Sequence, residues 1–260
     1  MPGCPAAILP MPRALLTLLI LSVLSALVAL PAALLGLIHR FDCVRILVAR
    51  VLSRSMLWTS GVRLVVEDKW GSVDGPPAFF VGNHQSAVDI PTVSEALKGR
   101  ALFMAKHSLF LIPALGWFWA VYGYASIHRD DPRRTKRNLD RMIERIRARP
   151  SSWVVFPEGT RSTDGRLLPF RRGTMKICAR AGLPIVPFAV DGSARVHRAR
   201  VFRVHPGPVR VIFGEPIPAE TVSQMSSKEL SEMVQRRVAD CLERARSMAT
   251  PGDQGGHQSD

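Results

Sequence analysis

Two stretches of this sequence set reactive side chains at spacings that suit chemistry. The first is Asn83-His84-Gln85-Ser86-Ala87-Val88-Asp89, where a short apolar run, Ala78 to Val81, gives way to residues of helical character. A histidine at such a junction is held on a rigid element and can still face a cleft. Asp89, five positions on, can fold back to one ring N–H and fix the tautomer, leaving the other nitrogen to take a proton at neutral pH. The second stretch is Phe156-Pro157-Glu158-Gly159-Thr160-Arg161-Ser162. Such a turn offers a guanidinium fork and backbone N–H groups to a phosphate, and Glu158 can accept hydrogen bonds from a polyol. Each stretch alone also has a plain structural reading. His84 can be a helix-entry residue satisfied by backbone, and the glycine turn can be an exposed turn beside an ion pair. H-x-x-x-x-D is a pattern of low specificity in a chain with seven histidines.

The elements around these stretches follow from periodicity. Val62 to Glu67, Ala78 to Val81, Ala101 to Met104, Ser152 to Phe156, Pro184 to Val190 and Val209 to Phe213 read as strands, with a turn at Asp74 to Pro77. Pro91 to Leu97 reads as a helix with proline in its first turn. Pro132 to Arg149 is a clearer one, because Leu139, Met142, Ile143 and Ile146 fall at i, i+3, i+4 and i+7. A last helix covers about Ser227 to Ser247, and the polar, Gly-rich tail 249–260 reads as unstructured. Strands alternating with helices predict an α/β fold: a central mixed sheet flanked by helices, with an N-terminal hydrophobic, membrane-associated helical segment. The predicted division is a membrane-associated segment over 1–60, an α/β domain over 61–248 and the tail.

That N-terminal expectation rests on Ala14 to Ile38, a run without a charged residue. It exceeds the roughly 20 apolar residues a spanning helix needs. Pro31 inside it predicts a kink, or a break into two helices that enter and leave on one side. A cleaved signal peptide is the competing reading, and its usual apolar core is only about 7–15 residues long. Arg40, Arg45, Arg50 and Arg54 follow, interleaved with apolar residues. This segment suits the headgroup region with its arginines at lipid phosphates, an ordinary surface helix being the alternative. The cationic excess after the run puts the rest of the chain on the cytoplasmic face of the membrane, the inner one in a bacterium.

Composition narrows the partners. The 260 residues carry 35 Lys+Arg against 21 Asp+Glu, a formal charge of +14, which calls for an anionic partner. The four cysteines show neither C-x-x-C pairs nor zinc spacing, so no disulfide framework or metal site is indicated. No G-x-S-x-G nucleophile elbow occurs, which disfavours a serine hydrolase. Nucleic-acid binding would explain the charge and leave the ordered stretches unexplained.

Together, His84 to Asp89 and Phe156 to Ser162 resemble two defining blocks of the glycerolipid acyltransferases. Gly123-Tyr124-Ala125-Ser126-Ile127-His128-Arg129 is similar to that family's block ending in a phosphate-binding arginine, although His128 replaces a small or acidic residue. Leu183 to Phe188 is similar to its proline-containing apolar block. Ala105-Lys106, Leu109 to Pro113 and Gly116 to Phe118 fit the pattern between them. The likeness covers about Val62 to Phe213.

It implies acyl transfer from acyl-CoA or acyl carrier protein, as co-substrate and without a further cofactor or metal, to the hydroxyl of a lysophospholipid. The resemblance reports the reaction better than the acceptor: lysophosphatidic acid leads, with glycerol-3-phosphate and lyso-ornithine lipid as rivals. By the same resemblance His84 and Asp89 are catalytic, and Lys106, Arg129, Glu158, Gly159, Thr160 and Arg161 bind substrate. The stretch Leu109 to Ala120 reads either as a wall for the acyl chain or as plain core. Arg133, Arg134, Lys136, Arg137 and Arg141 form a solvated basic face that can also dock anionic membrane lipid or an acidic carrier protein. No nucleic-acid partner is implied.

Overall fold

The structure, a computed structural model, describes residues 10–39, 41–128, 131–162, 164–197 and 204–248. Seven strands form one mixed sheet: β1 (Val62–Asp68), β2 (Phe79–Gly82), β3 (Leu102–Lys106), β4 (Ala125–Ile127), β5 (Trp153–Val155), β6 (Ile185–Asp191) and β7 (Gly207–Phe213). Their order across the sheet is β1-β7-β6-β2-β5-β3-β4. All neighbours run parallel except β6 and β7, which are antiparallel.

The middle of the sheet explains its sequence. Every residue of β2, β5 and β6 is buried, and strands covered on both faces read as unbroken apolar runs. From β2 the chain goes to β3 and β4 on one side, returns through β5, and then crosses to β6 and β7 on the other. The crevice beyond the carboxyl ends of strands at such a reversal is where open α/β sheets bind ligands.

The helices follow their predicted stripes. Leu139, Met142, Ile143 and Ile146 are the buried face of α6 (Pro132–Ala148), whose N-cap Asp131 accepts a hydrogen bond from Arg134 N–H at 2.8 Å. The C-terminal helix Ser227–Ser247 begins with a full capping box between Ser226 and Glu229. It buries Leu230, Val234 and Val238 in the main core. Several short elements were not anticipated, two of them beside the site. β4 has only three residues, and α7 (Arg172–Ala181) starts Arg-Gly-Thr and shows too short a stripe, Met175 and Cys178, to stand out. The Gly-rich tail lies outside the described residues.

At the N-terminus, α1 (Pro10–Leu24), a π-helical turn (Ser25–Ala29) and α2 (Leu30–Ile38) run on from one another. Pro31 therefore does not split the run. It removes one N–H and crowds the carbonyl four residues back, and widening the preceding turn to π accommodates it. Leu15–Ile38 is one helix long and apolar enough to cross a membrane. Leu19, Leu27, Leu34 and Leu37 are exposed along it. Its inner side docks on α5 (Leu115–Tyr122): a Cβ at Gly36 would lie 2.6 Å from Val121 Cγ1, so only glycine allows this approach.

The arginines of α3 (Asp42–Thr59) have partners within the protein. Arg45 is buried, with Nη1 and Nη2 donating to the carbonyls of Gly99 and Arg100 at 3.1 and 3.0 Å. Arg54 pairs with Glu95 of α4 (Asp89–Ala96) at 2.8 Å, and Arg50 approaches the same carboxylate at 3.8 Å. These groups hold α3 against α4 and the turn after it, while Arg54 itself stays exposed. Arg40 lies outside the described residues.

Candidate active site

His84 and Asp89 owe their meeting to the shortness of the loop between β2 and α4. Asp89 is the first residue of α4, fully buried, and one of its oxygens takes three donors. Oδ2 accepts Gln85 N–H at 2.6 Å and Ser86 N–H at 2.8 Å, and lies 2.7 Å from His84 Nδ1. A buried carboxylate persists when it is hydrogen-bonded and paired. Here the same bonds that solvate it also fold the loop that carries the imidazole. With Nδ1 facing a carboxylate, the proton sits on Nδ1, and Nε2 is the nitrogen able to accept another. The ring is further fixed by Phe156, stacked on it at 4.3 Å between centroids and 15° between planes.

The second block is stitched to the first through backbone. His84 N–H donates to Glu158 Oε1 at 3.0 Å, and His84 C=O accepts Ser162 N–H at 2.8 Å. Two blocks more than seventy residues apart thereby form one unit. Asn83 anchors the other side, giving Nδ2 to Val190 C=O and accepting Val190 N–H, at 2.9 and 2.7 Å. Glu158 is buried. That burial pushes its carboxyl up to about 7, against hydrogen bonds from the His84 and Leu168 backbones, and the Asp89 charge adds to the rise. Glu158 thus lies behind the cleft wall, under the histidine.

His84 opens onto a cleft of about 870 Å3 beyond the carboxyl ends of β2, β3 and β5. Lys106, Gly159, Thr160 and Arg161 line it as well. Five of the eight residues singled out from the sequence therefore share one hollow, Asp89 and Glu158 stand behind it, and Arg129 lies outside the described residues. Gly159 has φ +67°, and a Cβ there would come within 2.6 Å of Arg171 Nε. The turn needs glycine for its backbone and for the guanidinium lying across it.

Arg171 is one of three cations in the wall that sequence reasoning missed. The others are Lys136 of α6, assigned to a solvated face, and Arg180 of α7, which pairs with Asp140 at 2.9 Å. Arg171 stands in a run of basic residues just before α7, and only the turn over Gly159 brings it in. The apolar part of the cleft comes from Ile90, Phe103, Met104, Leu139, Val155 and Ile177. Of the stretch Leu109 to Ala120, only Leu109 reaches this lining; Phe118 is core, packed on Tyr122. The His128 and His107 rings pack with centroids 3.9 Å apart and planes tilted by 30°. Burial and the His107 ring, with Arg134 and Arg137, hold the basicity of His128 below the usual histidine value. Among the described residues, no three His, Cys, Asp or Glu side chains come together to hold a metal ion.

A histidine backed by a buried carboxylate, cations across the same cleft and an apolar wall can together take up a proton and hold an anionic, partly apolar molecule. Residues 63–191 match the Acyltransferase family. It is 38% identical over 142 residues to 1-acyl-sn-glycerol-3-phosphate acyltransferase BAT2, chloroplastic, of Brassica napus, covering 54% of this chain and 41% of that one. To the 1-acyl-sn-glycerol-3-phosphate acyltransferase of Cocos nucifera it is 28% identical over 196 residues, 75% of this chain and 63% of that one. To that of Escherichia coli (strain K12) it is 31% identical over 156 residues, 60% and 62%. The chain thus spans less than two thirds of these relatives' lengths. The crystal structure of the 1-acyl-sn-glycerophosphate acyltransferase PlsC from Thermotoga maritima shares the fold, with a TM-score of 0.73 at 23% identity over 92% of this chain and 99% of that one.

Proposed function

We propose that the protein transfers a fatty acyl group from acyl-CoA or acyl carrier protein to the free sn-2 hydroxyl of 1-acyl-sn-glycerol 3-phosphate, giving phosphatidic acid. The observation that carries this reading is that His84, braced by Asp89, shares one cleft with Lys106 and Arg161. The named relatives, all 1-acyl-sn-glycerol-3-phosphate acyltransferases, support the choice of acceptor.

The acceptor's phosphate rests against Lys106 and Arg161, with Arg129 of the matching block in support. Its hydroxyl then lies at His84 Nε2, which takes the proton as the oxygen attacks the thioester carbonyl. The tetrahedral intermediate expels the thiolate, and the imidazolium returns the proton to sulfur. A thioester already carries a good leaving group, so no acyl-enzyme is required. The base supplies about 10²–10⁴ in rate, and alignment of the acceptor by its phosphate contributes up to about 7–11 kcal/mol in well-oriented cases.

Hydrogen bonding limits the remaining roles. The N–H groups of His84, Gln85 and Ser86 are already committed to Glu158 and Asp89, so they do not serve the oxyanion. Glu158 acts by holding the His84 backbone, and Gly159 and Thr160 shape the cationic wall. Both lipids reside in a bilayer, and the helix Leu15–Ile38 would keep the cleft beside it, on the cytoplasmic face.

The test is a panel of acceptors offered to purified protein with one acyl-CoA: lysophosphatidic acid, glycerol-3-phosphate, a lyso-ornithine lipid and lysophosphatidylcholine. Preferred acylation of lysophosphatidic acid supports the reading. A clear preference for another acceptor overturns it while leaving the chemistry of the cleft intact.

A further inference from the structure

At the other end of the sheet, the first residues of β2, β3 and β5 floor a second cavity of about 460 Å3. Phe80, Leu102 and Trp153 make its base apolar. Arg45, Arg100, Arg145 and Arg149 stand in its wall, and Asp42 is the one carboxylate lining it among the described residues. Four arginines line it against one carboxylate, and Arg100 is also paired with Asp74 at 2.8 Å.

Arg45 is the telling member. It is only 6% exposed, and its two terminal nitrogens are spent on the carbonyls of Gly99 and Arg100. Carbonyl oxygens satisfy its donors without cancelling its charge. The nearest carboxylate, Asp42, stands 3.5 Å from Nε and is held more closely by Arg149, at 2.6 Å. A buried guanidinium that must share its carboxylate with a second arginine is incompletely compensated, and an anion in the cavity would offset that cost.

The cavity also adjoins the apolar helix. Tyr122 lines it and donates its hydroxyl to the carbonyl of Ala32 in α2 at 3.3 Å. Asp42, Arg45 and Ile46 belong to the first turns of α3, which begins four residues after the apolar helix ends at Ile38. Lipid phosphates lie just beyond the end of a helix embedded in a bilayer. An apolar base under an arginine rim at that level suits an amphipathic anion.

We propose that this cavity binds the phosphate-bearing headgroup of an anionic membrane lipid, at a site separate from the catalytic cleft. It stands independently of the reaction assigned to that cleft.

The test uses the full chain in phosphatidylcholine vesicles with and without phosphatidylglycerol, a phosphodiester that differs from the phosphomonoester acceptor. A lipid that binds the native state raises its melting temperature, and such a rise is expected for the unaltered protein. The double variant Arg100→Gln/Arg149→Gln should lose more than half of the rise, measured against its own phosphatidylglycerol-free baseline. Ala148→Glu keeps every arginine and adds a carboxylate to the cavity wall, and it should lose the rise equally. Arg133→Gln/Arg137→Gln, the same charge loss on exposed α6 residues outside the cavity, should keep it. An equal loss in both double variants, or no loss in either cavity variant, overturns the site. A rise reproduced by soluble glycerophosphate overturns the assignment to a lipid.

Discussion

Replacing Asp89 by asparagine keeps the side chain's shape and removes its charge, and the structure dictates how the amide must sit. The two backbone donors Gln85 N–H and Ser86 N–H need an acceptor where Oδ2 now stands. Leaving both unsatisfied would cost about 1–3 kcal/mol each. The amide oxygen therefore takes that position, and its NH2 takes the place of Oδ1, which has no hydrogen-bond partner among the described residues. In this orientation the oxygen still accepts from His84 Nδ1, so the tautomer survives. What disappears is the carboxylate's attraction for the imidazolium that forms as the acceptor loses its proton. With charge centres roughly 4 Å apart and an effective dielectric near 20, that attraction is about 4 kcal/mol. Partial charge transfer in the transition state brings the expected fall in kcat to about 10²–10³. The assay is initial-rate acylation of lysophosphatidic acid by labelled acyl-CoA at saturating substrate. KM should hardly move, because Asp89 is buried behind the histidine. Asp89→Ala, by contrast, should destabilise the fold by about 2–6 kcal/mol, since both backbone donors lose their acceptor. A fall in kcat of less than about tenfold for Asp89→Asn, in protein that folds normally, would refute the electrostatic reasoning.

Other consequences concern the rest of the cleft. Arg161→Ala and Lys106→Ala should act mainly through the acceptor, raising its KM by about tenfold or more as a charged hydrogen bond is lost; unchanged acceptor kinetics in both would remove them from the phosphate site. Glu158→Gln should change how stability depends on pH. Burial raises the folded-state value from 4.5 to about 7, so across that window the folded protein holds a proton the unfolded chain has released. Stability from this group is therefore fully present below about 4.5 and lost as pH rises towards 7. Denaturant titrations between these values should show a shallower decline in Glu158→Gln than in the unaltered protein, and parallel curves would count against the buried acid. Gly159→Ala should cost about 1–2 kcal/mol from its left-handed backbone. It should also lower turnover by displacing Arg171, and wild-type stability and rate together would contradict that packing.

What the sequence made legible depended on range. His84 with Asp89, and Gly159 with Arg161, are local patterns whose meaning is set by a few residues of loop, and the structure brings seven of the eight predicted residues around or behind one cleft. The long stripes of α6 and the C-terminal helix were equally plain. Brief elements were not: β4 is three residues long, and the buried face of α7 is only a few residues. Partners distant in the chain were hidden as well. Nothing local says that Phe156 stacks on His84, that Glu158 holds the His84 backbone, or that Arg171 lies over Gly159. The partners of the α3 arginines were hidden for the same reason, since their acceptors, Glu95 and the carbonyls of Gly99 and Arg100, come from α4 and the turn after it.

In the proposed reaction the His84 imidazole takes the proton of a lipid hydroxyl. The most direct measurement is formation of phosphatidic acid from lysophosphatidic acid and labelled acyl-CoA, with product identification, for the unaltered protein and for His84→Ala reconstituted alike. The unaltered protein should form phosphatidic acid, and His84→Ala should form it at less than about a hundredth of that rate, in keeping with the loss of a general base. Activity above about a tenth of normal in folded, membrane-bound His84→Ala protein would contradict that role of His84.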